Sequence, residues 1–252
     1  MNQDSVNRFS DRVENYANYR PDYPAEVLDF LQHNINFSPS WRVADIGAGT
    51  GISSKLFLDN GNKVFAVEPN AEMRKAAEGY LSEFSKAVLI DANAEKTKIE
   101  SNSLELVTAS QAFHWFNNKK CAQEFKRILK DDGYVVLIWN ERVLGANEFL
   151  RKYEEVLLEF GTDYQSVRHD KLTKASLETC FRSEFETATF PNSQTLDFDG
   201  FKGRAFSASY TPAIGDVRHK KMLERLKSLF ADFEEKGRIH LLYNTNIFFT
   251  QI

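Results

Sequence analysis

The stretch "VADIGAGTGISSKLF", residues 43–57, sets three glycines at alternate positions directly behind an apolar run that ends in an acid. A strand, a glycine-rich turn and a helix in that order bring backbone N–H groups to the positive end of the helix, where a ligand can approach the main chain. Glycine is then expected where a Cβ would meet that ligand. The spacing of Gly47, Gly49 and Gly51 is G-x-G-x-G, and Ile52 and Ser54 stand where a dinucleotide fingerprint would put its third glycine. A pyrophosphate is disfavoured for a second reason. The carboxylate of Asp45 would repel it in a low-dielectric pocket.

From residue 41 onward, short apolar runs alternate with helical stretches. "WRVADI", "KVFAVE", "KAVLI", "LELVTA" and "YVVLIW" read as strands, and "ISSKLFLDNG", "AEMRKAAEGYLSEF" and "KKCAQEFKRILK" as helices, the last closed by a turn at Asp131, Asp132 and Gly133. Gly61 stops the first of these helices. Such alternation predicts right-handed crossovers and a mainly parallel α/β sheet with helices on both faces. Beyond Asn140, "NEFLRKYEEVLLEFG" is an amphipathic helix with Phe149, Leu150, Tyr153, Val156, Leu157 and Phe160 on its stripe. "FETATF" is a candidate sixth strand and "IHLLYNTNIFFTQI" another, with Asn244 and Asn246 as potential breaks. Between them, "GFKGRAFSASYTP" and a helix over Val217 to Phe233 form a candidate substrate-binding insertion, residues 198–236. We expect one domain over residues 1–252, with a lid and helices in 1–40 and the cofactor-binding core in 41–140.

Composition excludes several classes. A formal net charge of −4 gives no general attraction to nucleic acid or to an anionic membrane. Cys121 and Cys180 are too few for a disulfide framework and are expected as reduced thiols. The start, "MNQDSVNRFSDRVENY", lacks the apolar core of a signal peptide, and no run approaches the roughly 18 apolar residues of a membrane span. A cytoplasmic protein is expected, with no nucleic acid and no membrane as partner. Monomer and homodimer both stay open. His33, His114, His169, His219 and His240 are scattered without metal-ligand spacing, so no metal is expected.

Asp45 suits a cationic ligand, and S-adenosylmethionine carries both an amino group and a sulfonium. Glu68 closes "KVFAVE" 17 residues after Gly51, near the interval at which an acid accepts the hydroxyls of an adenosine ribose. Together with "VFAVEPNAEM", "DANAEKTKIESNSLELVTASQAFHWF" and "LKDDGYVVLIWN", these residues make the chain resemble the class I S-adenosylmethionine-dependent methyltransferases, in their type 11 small-molecule branch that includes trans-aconitate and ubiquinone-biosynthesis methyltransferases. The resemblance covers residues 10 to 140 well and the rest loosely. It implies a Rossmann-like methyltransferase sheet, mainly parallel with an antiparallel final strand, and S-adenosyl-L-methionine as cofactor. It further implies that Asp45, Gly47, Ala48 and Gly49 line the methionine part, that Glu68 holds the ribose, and that Pro69, Asn70 and Met73 flank the adenosine. Asn93 stands where family members often have an acid, and an amide can still bond the adenine amino group. Ala94 would offer its backbone to the ring.

Ligands of open α/β sheets lie beyond the carboxyl ends of the strands. There "LELVTA" delivers "SQAFHWF", with Ser110 and Gln111 near the methionine tail and His114 near the acceptor. His114 is the candidate base, since an imidazole can take a proton from a hydroxyl or amine near neutral pH; its alternative is a structural imidazole beneath Trp115. Phe113, Trp115 and Phe116 either wall the acceptor site or pack in the core. The segment "NYANYRPDYP" offers Tyr16 and Tyr19 to the substrate, and similarity to family lids implies that Arg20 pairs with the cofactor carboxylate; a solvated entry loop is the competing reading. "RAFSASY" adds Arg204 and Tyr210 as substrate contacts. The expected activity is methyl transfer to an oxygen or nitrogen of a small molecule, a carboxylate among them. A non-catalytic S-adenosylmethionine-binding module is the alternative, and an NAD-dependent oxidoreductase is a more distant one.

Overall fold

The computed structural model describes residues 12–164 and 173–252. The first part of the expected lid, residues 1–11, and His169 lie outside these. Seven strands, β1 (Arg42–Ile46), β2 (Lys63–Val67), β3 (Ala87–Ile90), β4 (Leu104–Ser110), β5 (Leu129–Arg142), β6 (Glu186–Leu196) and β7 (Ile239–Gln251), form one sheet in the order β3-β2-β1-β4-β5-β7-β6. β1 pairs in parallel with β2 and β4, β2 with β3, and β4 with β5. β7 runs antiparallel to both β5 and β6. The sheet is therefore mainly parallel with one reversed strand, and that strand is the last.

Both faces of the sheet are covered, and the strands alternate between two apolar layers as their two-residue side-chain period requires. Val43, Val64, Leu106, Val136 and Ile138 meet Val27, Leu31 and Ile35 of α2 (Glu26–Ile35) and Phe57 of α3 (Ile52–Asp59). Ala44, Ile46, Val107, Ala109, Val135 and Leu137 instead meet Cys121, Phe125 and Ile128 of α5 (Asn118–Ile128) and Leu177 of α7 (Lys174–Phe181). α4 (Ala71–Tyr80) links β2 to β3, and its first turn is capped by the Asn70 side chain, which accepts from the Met73 amide.

A third apolar cluster lies over the β5-β7-β6 half. It joins α6 (Glu148–Phe160), α8 (Phe198–Phe206) and α9 (Val217–Phe233) to Ile239, Leu241 and Tyr243 of β7. The six stripe residues of α6 are all buried in it. α8 and α9 stand between β6 and β7, within the segment read from sequence as an insertion.

Three local expectations change. The turn at Asp131 to Gly133 is instead an irregular stretch of β5: Leu104 pairs with Leu129 and Leu106 with Tyr134, so β5 spends five positions where β4 spends two. Asn244 and Asn246 do not interrupt β7, because both fall on the alternate set of residues whose neighbours Tyr243, Thr245 and Ile247 are buried. β6 runs on through Pro191, which an edge strand tolerates.

The short helix α1 (Val13–Tyr19) buries no residue fully and owes its place to α8. Tyr19 lies against Gly203, where a built Cβ would come within 2.1 Å of its ring. Arg12 donates to the Thr211 side chain at 2.8 Å and to its carbonyl at 2.7 Å, and Gln194 donates to the Tyr19 carbonyl at 3.1 Å. Gly203→Ala is expected to lower unfolding free energy by about 1–3 kcal/mol through overpacking, measured by urea denaturation. Adding Tyr19→Ala should recover part of that loss, since it removes the ring that the new methyl meets.

Candidate active site

All three glycines of the β1–α3 turn have positive φ, at 73°, 59° and 91° for Gly47, Gly49 and Gly51. That conformation is what selects glycine. At Gly47 and Gly51 a Cβ would also strike the protein itself, Ala112 Cβ at 2.8 Å and Leu81 Cδ1 at 2.9 Å. Only Gly49 faces space, with Tyr16 Cε1 at 3.9 Å as its neighbour. The turn amides are also committed internally, contrary to the sequence expectation that they point at a ligand. Gly47 and Ala48 donate to the Val67 carbonyl and Gly49 to Glu68 Oε2. The turn is thereby stitched to β2, and what remains for a ligand is the surface above it.

Asp45, one residue before the end of β1, is fully buried. Its Oδ2 accepts from Ser53 Oγ at 2.6 Å and from Ser54 Oγ at 2.7 Å, both in the first turn of α3. Its Oδ1 is buried with no partner. Burial raises the Asp45 pKa to about 6, and the serine hydroxyls only partly oppose this. Glu68 follows β2 and is also buried. It accepts from the amides of Gly49 at 3.0 Å and Asn70 at 2.8 Å, and burial again raises its pKa.

Between the turn and α1 lies a narrow cleft lined by Tyr16, Arg20, Tyr23, Ala48, Ser110 and Gln111, with Gly47, Ile52, Ser53, Pro21 and Asn140 completing it. Gln111 takes a left-handed φ of 54° at the end of β4, a conformation that non-glycine residues hold mainly where the surroundings impose it. Its amide donates to the Ile138 carbonyl and its Nε2 to the Asn140 carbonyl at 2.9 Å. Arg20 stacks over the Tyr16 ring at 4.5 Å and donates to the Ser207 carbonyl at 3.0 Å, while its Nε is buried without an acceptor. Burial first, and then the charge of Arg204, lowers the Arg20 pKa.

The family model described as "Methyltransferase domain" matches residues 44–137. An uncharacterized methyltransferase of Mycobacterium tuberculosis is 30% identical over 223 residues, covering 88% of this chain and 85% of the relative. The chain belongs to the S-adenosylmethionine-dependent methyltransferases. A methyltransferase-like protein of Schizosaccharomyces pombe, also uncharacterized, is 23% identical over 98% of this chain and 96% of its own length. Among solved structures, a protein of Anaeromyxobacter dehalogenans provisionally described as a type II methyltransferase is similar in fold, with a TM-score of 0.70 at 17% identity over 92% of this chain and 98% of that one. Phosphoethanolamine N-methyltransferase 2 of Haemonchus contortus, solved with S-adenosyl-L-methionine, has a TM-score of 0.59 at 15% identity over 99% of this chain and 58% of that one.

The residues of this methyltransferase fit the cofactor of its family, S-adenosyl-L-methionine. An orphaned acidic oxygen at Asp45, a buried guanidinium at Arg20, the open face of Gly49 and an acid at the end of β2 match its amino, carboxylate, thioether and ribose groups in kind. Of the sequence candidates, Tyr16, Arg20, Gly47, Ala48 and Gln111 line one cleft. Asp45, Gly49 and Glu68 are not among its lining residues; Glu68 accepts from the Gly49 amide next to Ala48, and Pro69 and buried Met73 follow at the head of α4. Asn93 is exposed beside buried Ala94 in the loop after β3. Tyr23 and Asn140 are cleft residues that the motif search missed; Tyr23 sits three residues after Arg20 in the same lid segment, a signal that was present in the sequence.

His114 and Trp115 sit on a single helical turn, Phe113–Trp115, with their rings 4.7 Å apart. Phe113 is fully buried against Phe125 and Phe181, so it packs in the core. Arg204 and Tyr210 are not among the residues that line the cleft. Arg204 donates through Nε to Tyr243 Oη at 3.1 Å. Tyr210 Oη accepts from Arg142 Nη1 at 3.3 Å, and Arg142 bonds Glu154 at 2.9 Å and Tyr164 at 2.6 Å. Arg142, Glu154 and Tyr164 have no motif to announce them.

The raised Asp45 pKa has a direct consequence for stability. The native state binds this proton more tightly than the unfolded chain, so the associated stability is full below about pH 4 and is lost as pH rises through 6. A shift of roughly two units corresponds to about 3 kcal/mol. Urea unfolding of the wild type and Asp45→Asn between pH 4 and pH 7 should show a decline in the wild type that is shallower in the variant by about that amount. Parallel curves would mean that Asp45 does not titrate in this range.

Proposed function

We propose that this methyltransferase moves the methyl group of S-adenosyl-L-methionine to an oxygen or nitrogen of a small-molecule acceptor, a carboxylate oxygen among them, in the cytoplasm. The observation that carries the reading is the roof. α1 lies over the glycine turn and is docked on α8 through Tyr19 and Gly203, while Arg20 bonds the Ser207 carbonyl. The cleft is thus framed by the chain's own helices, a setting for a metabolite more than for a polymer.

In this reading Arg20 pairs with the cofactor carboxylate, the Asp45 side faces its amino group, Glu68 receives the ribose hydroxyls, and Met73, Asn93 and Ala94 border the adenine. The cofactor supplies an electrophilic methyl on a sulfonium. Transfer is an in-line displacement: the acceptor lone pair forms the new bond to carbon as the S–CH3 bond breaks and its electrons return to sulfur. The protein's contribution is alignment and exclusion of water. An ionised carboxylate needs no base. A hydroxyl or amine acceptor gives up a proton, and His114 is the residue of this edge that would take it.

Calorimetry with S-adenosylhomocysteine tests the cofactor assignment. Glu68→Ala should weaken binding by tenfold or more, the cost of about one good charge-assisted hydrogen bond, and His114→Ala should leave it nearly unchanged. Wild-type protein that binds none at millimolar ligand would remove the proposal.

A further inference from the structure

Alternate side chains of β5 face the apolar layer under α2 and α3, and Val136 and Ile138 of that set are buried in it. The next member is Asn140, 6% exposed, where the strand reaches the cleft. An aliphatic residue there would simply extend the layer. The amide is instead bonded on both its ends. Its Oδ1 accepts from Thr245 Oγ1 at 2.5 Å and from Asn192 Nδ2 at 3.3 Å, and its Nδ2 donates to the Asp22 carbonyl at 3.2 Å. Asn192, two strands away on edge strand β6, donates to the same Asp22 carbonyl at 2.8 Å. The Asn140 backbone carbonyl accepts from Gln111 Nε2 at 2.9 Å. Backbone pairing already joins β5 to β7 at Asn140 and Thr245, so the sheet does not need these side-chain bonds to close.

Asp22 is the middle residue of "RPDYP", in which Arg20, Pro21 and Tyr23 all line the cleft. Pro21 and Pro24 fix their own φ and hold Arg20 and Tyr23 out of the helical region. In so stiff a segment, a grip on one carbonyl sets the side chains on either side of it. We infer that Asn140 is a positioning residue for the methionine end of the cofactor: with Asn192 it fixes the Asp22 carbonyl, and so Arg20 and Tyr23, at a set distance from Gln111, which its own backbone holds. This rests on the proposed function, in which Arg20 pairs with the cofactor carboxylate. The adenosine end is built separately, since Glu68 accepts from Gly49 and Asn70, and Asn70 caps the helix that carries Met73. A defect at Asn140 is therefore felt by the amino-acid tail of a ligand and not by its nucleoside. The chemistry of the grip is directional. An ionised aspartate at 140 still accepts from Thr245 and Asn192, but it has no donor for the Asp22 carbonyl and turns an oxygen toward it.

The test is calorimetry on the full chain at pH 8 with two probes, S-adenosylhomocysteine and 5′-methylthioadenosine, the second keeping the adenosine thioether and lacking the amino-acid tail. Asn140→Asp should weaken S-adenosylhomocysteine binding by about tenfold, while 5′-methylthioadenosine stays within about twofold of wild type. Asn192→Ala removes only the second donor to Asp22 from the sheet edge. It should show the same selectivity at about threefold, and it covers the case in which the aspartate variant does not fold. A loss shared equally by the two probes would mean that Asn140 and Asn192 serve the fold alone, and no loss for either would mean that the lid carbonyl is held without them; both results overturn the inference and leave the cofactor assignment standing. Wild-type protein that binds neither probe sinks the cofactor assignment, and the inference with it.

Discussion

The junction between β1 and α3 depends on one buried carboxylate. Asp45 is placed where the sheet ends and the first turn of α3 presents two serine hydroxyls, and both bond the same oxygen. Ionisation of a group so deeply buried is costly, and the hydroxyls offset only part of that cost. The second oxygen remains without a partner in the fold. A structural reading explains the serines, yet it does not explain an orphaned acidic oxygen beneath a cleft. A cationic ligand, as in the proposed function, would.

Around that junction the backbone is over-determined. The three glycine φ values, the amides of Gly47 and Ala48 on Val67 and that of Gly49 on Glu68 fix the turn against β2 before any ligand is considered. Glu68 therefore has two tasks. It satisfies backbone donors on both sides, at Gly49 and Asn70, and still presents a carboxylate with lone pairs to spare. Such a preorganised acid would need little rearrangement to accept from a further hydroxyl.

How much of this was legible in the sequence follows from the range of the interactions involved. The five strands of residues 41–140, the helices between them and the glycine turn are local in the chain and recur with β-α-β spacing, so pattern and residue type sufficed. The Asp131 to Gly133 stretch misled because an Asp-Asp-Gly run is ordinary turn chemistry; only pairing with β4 shows it to be a bulge. Arg142, Glu154 and Tyr164 were invisible for a different reason. They come from a strand end, a helix and a loop, and nothing short of the folded chain brings them within 3 Å. Gly203 had the same fate, its partner Tyr19 lying at the other end of the sequence. Sequence reasoning also expected glycines to make way for a ligand, where at Gly47 and Gly51 they make way for Ala112 and Leu81.

The lid segment and α8 are mechanically one unit. α1 supplies Tyr16 and Arg20 to the cofactor cleft, and the same segment is held by Ser207, Gln194, Asn140 and Asn192, the last two through the carbonyl of Asp22. α8 carries Arg204 three residues before Ser207, whose hydroxyl returns to the Arg204 carbonyl at 2.8 Å. A displacement of α1 that opened the cleft would therefore pull on α8. Charge acts across the same contact, since Arg204 adds to burial in lowering the Arg20 pKa.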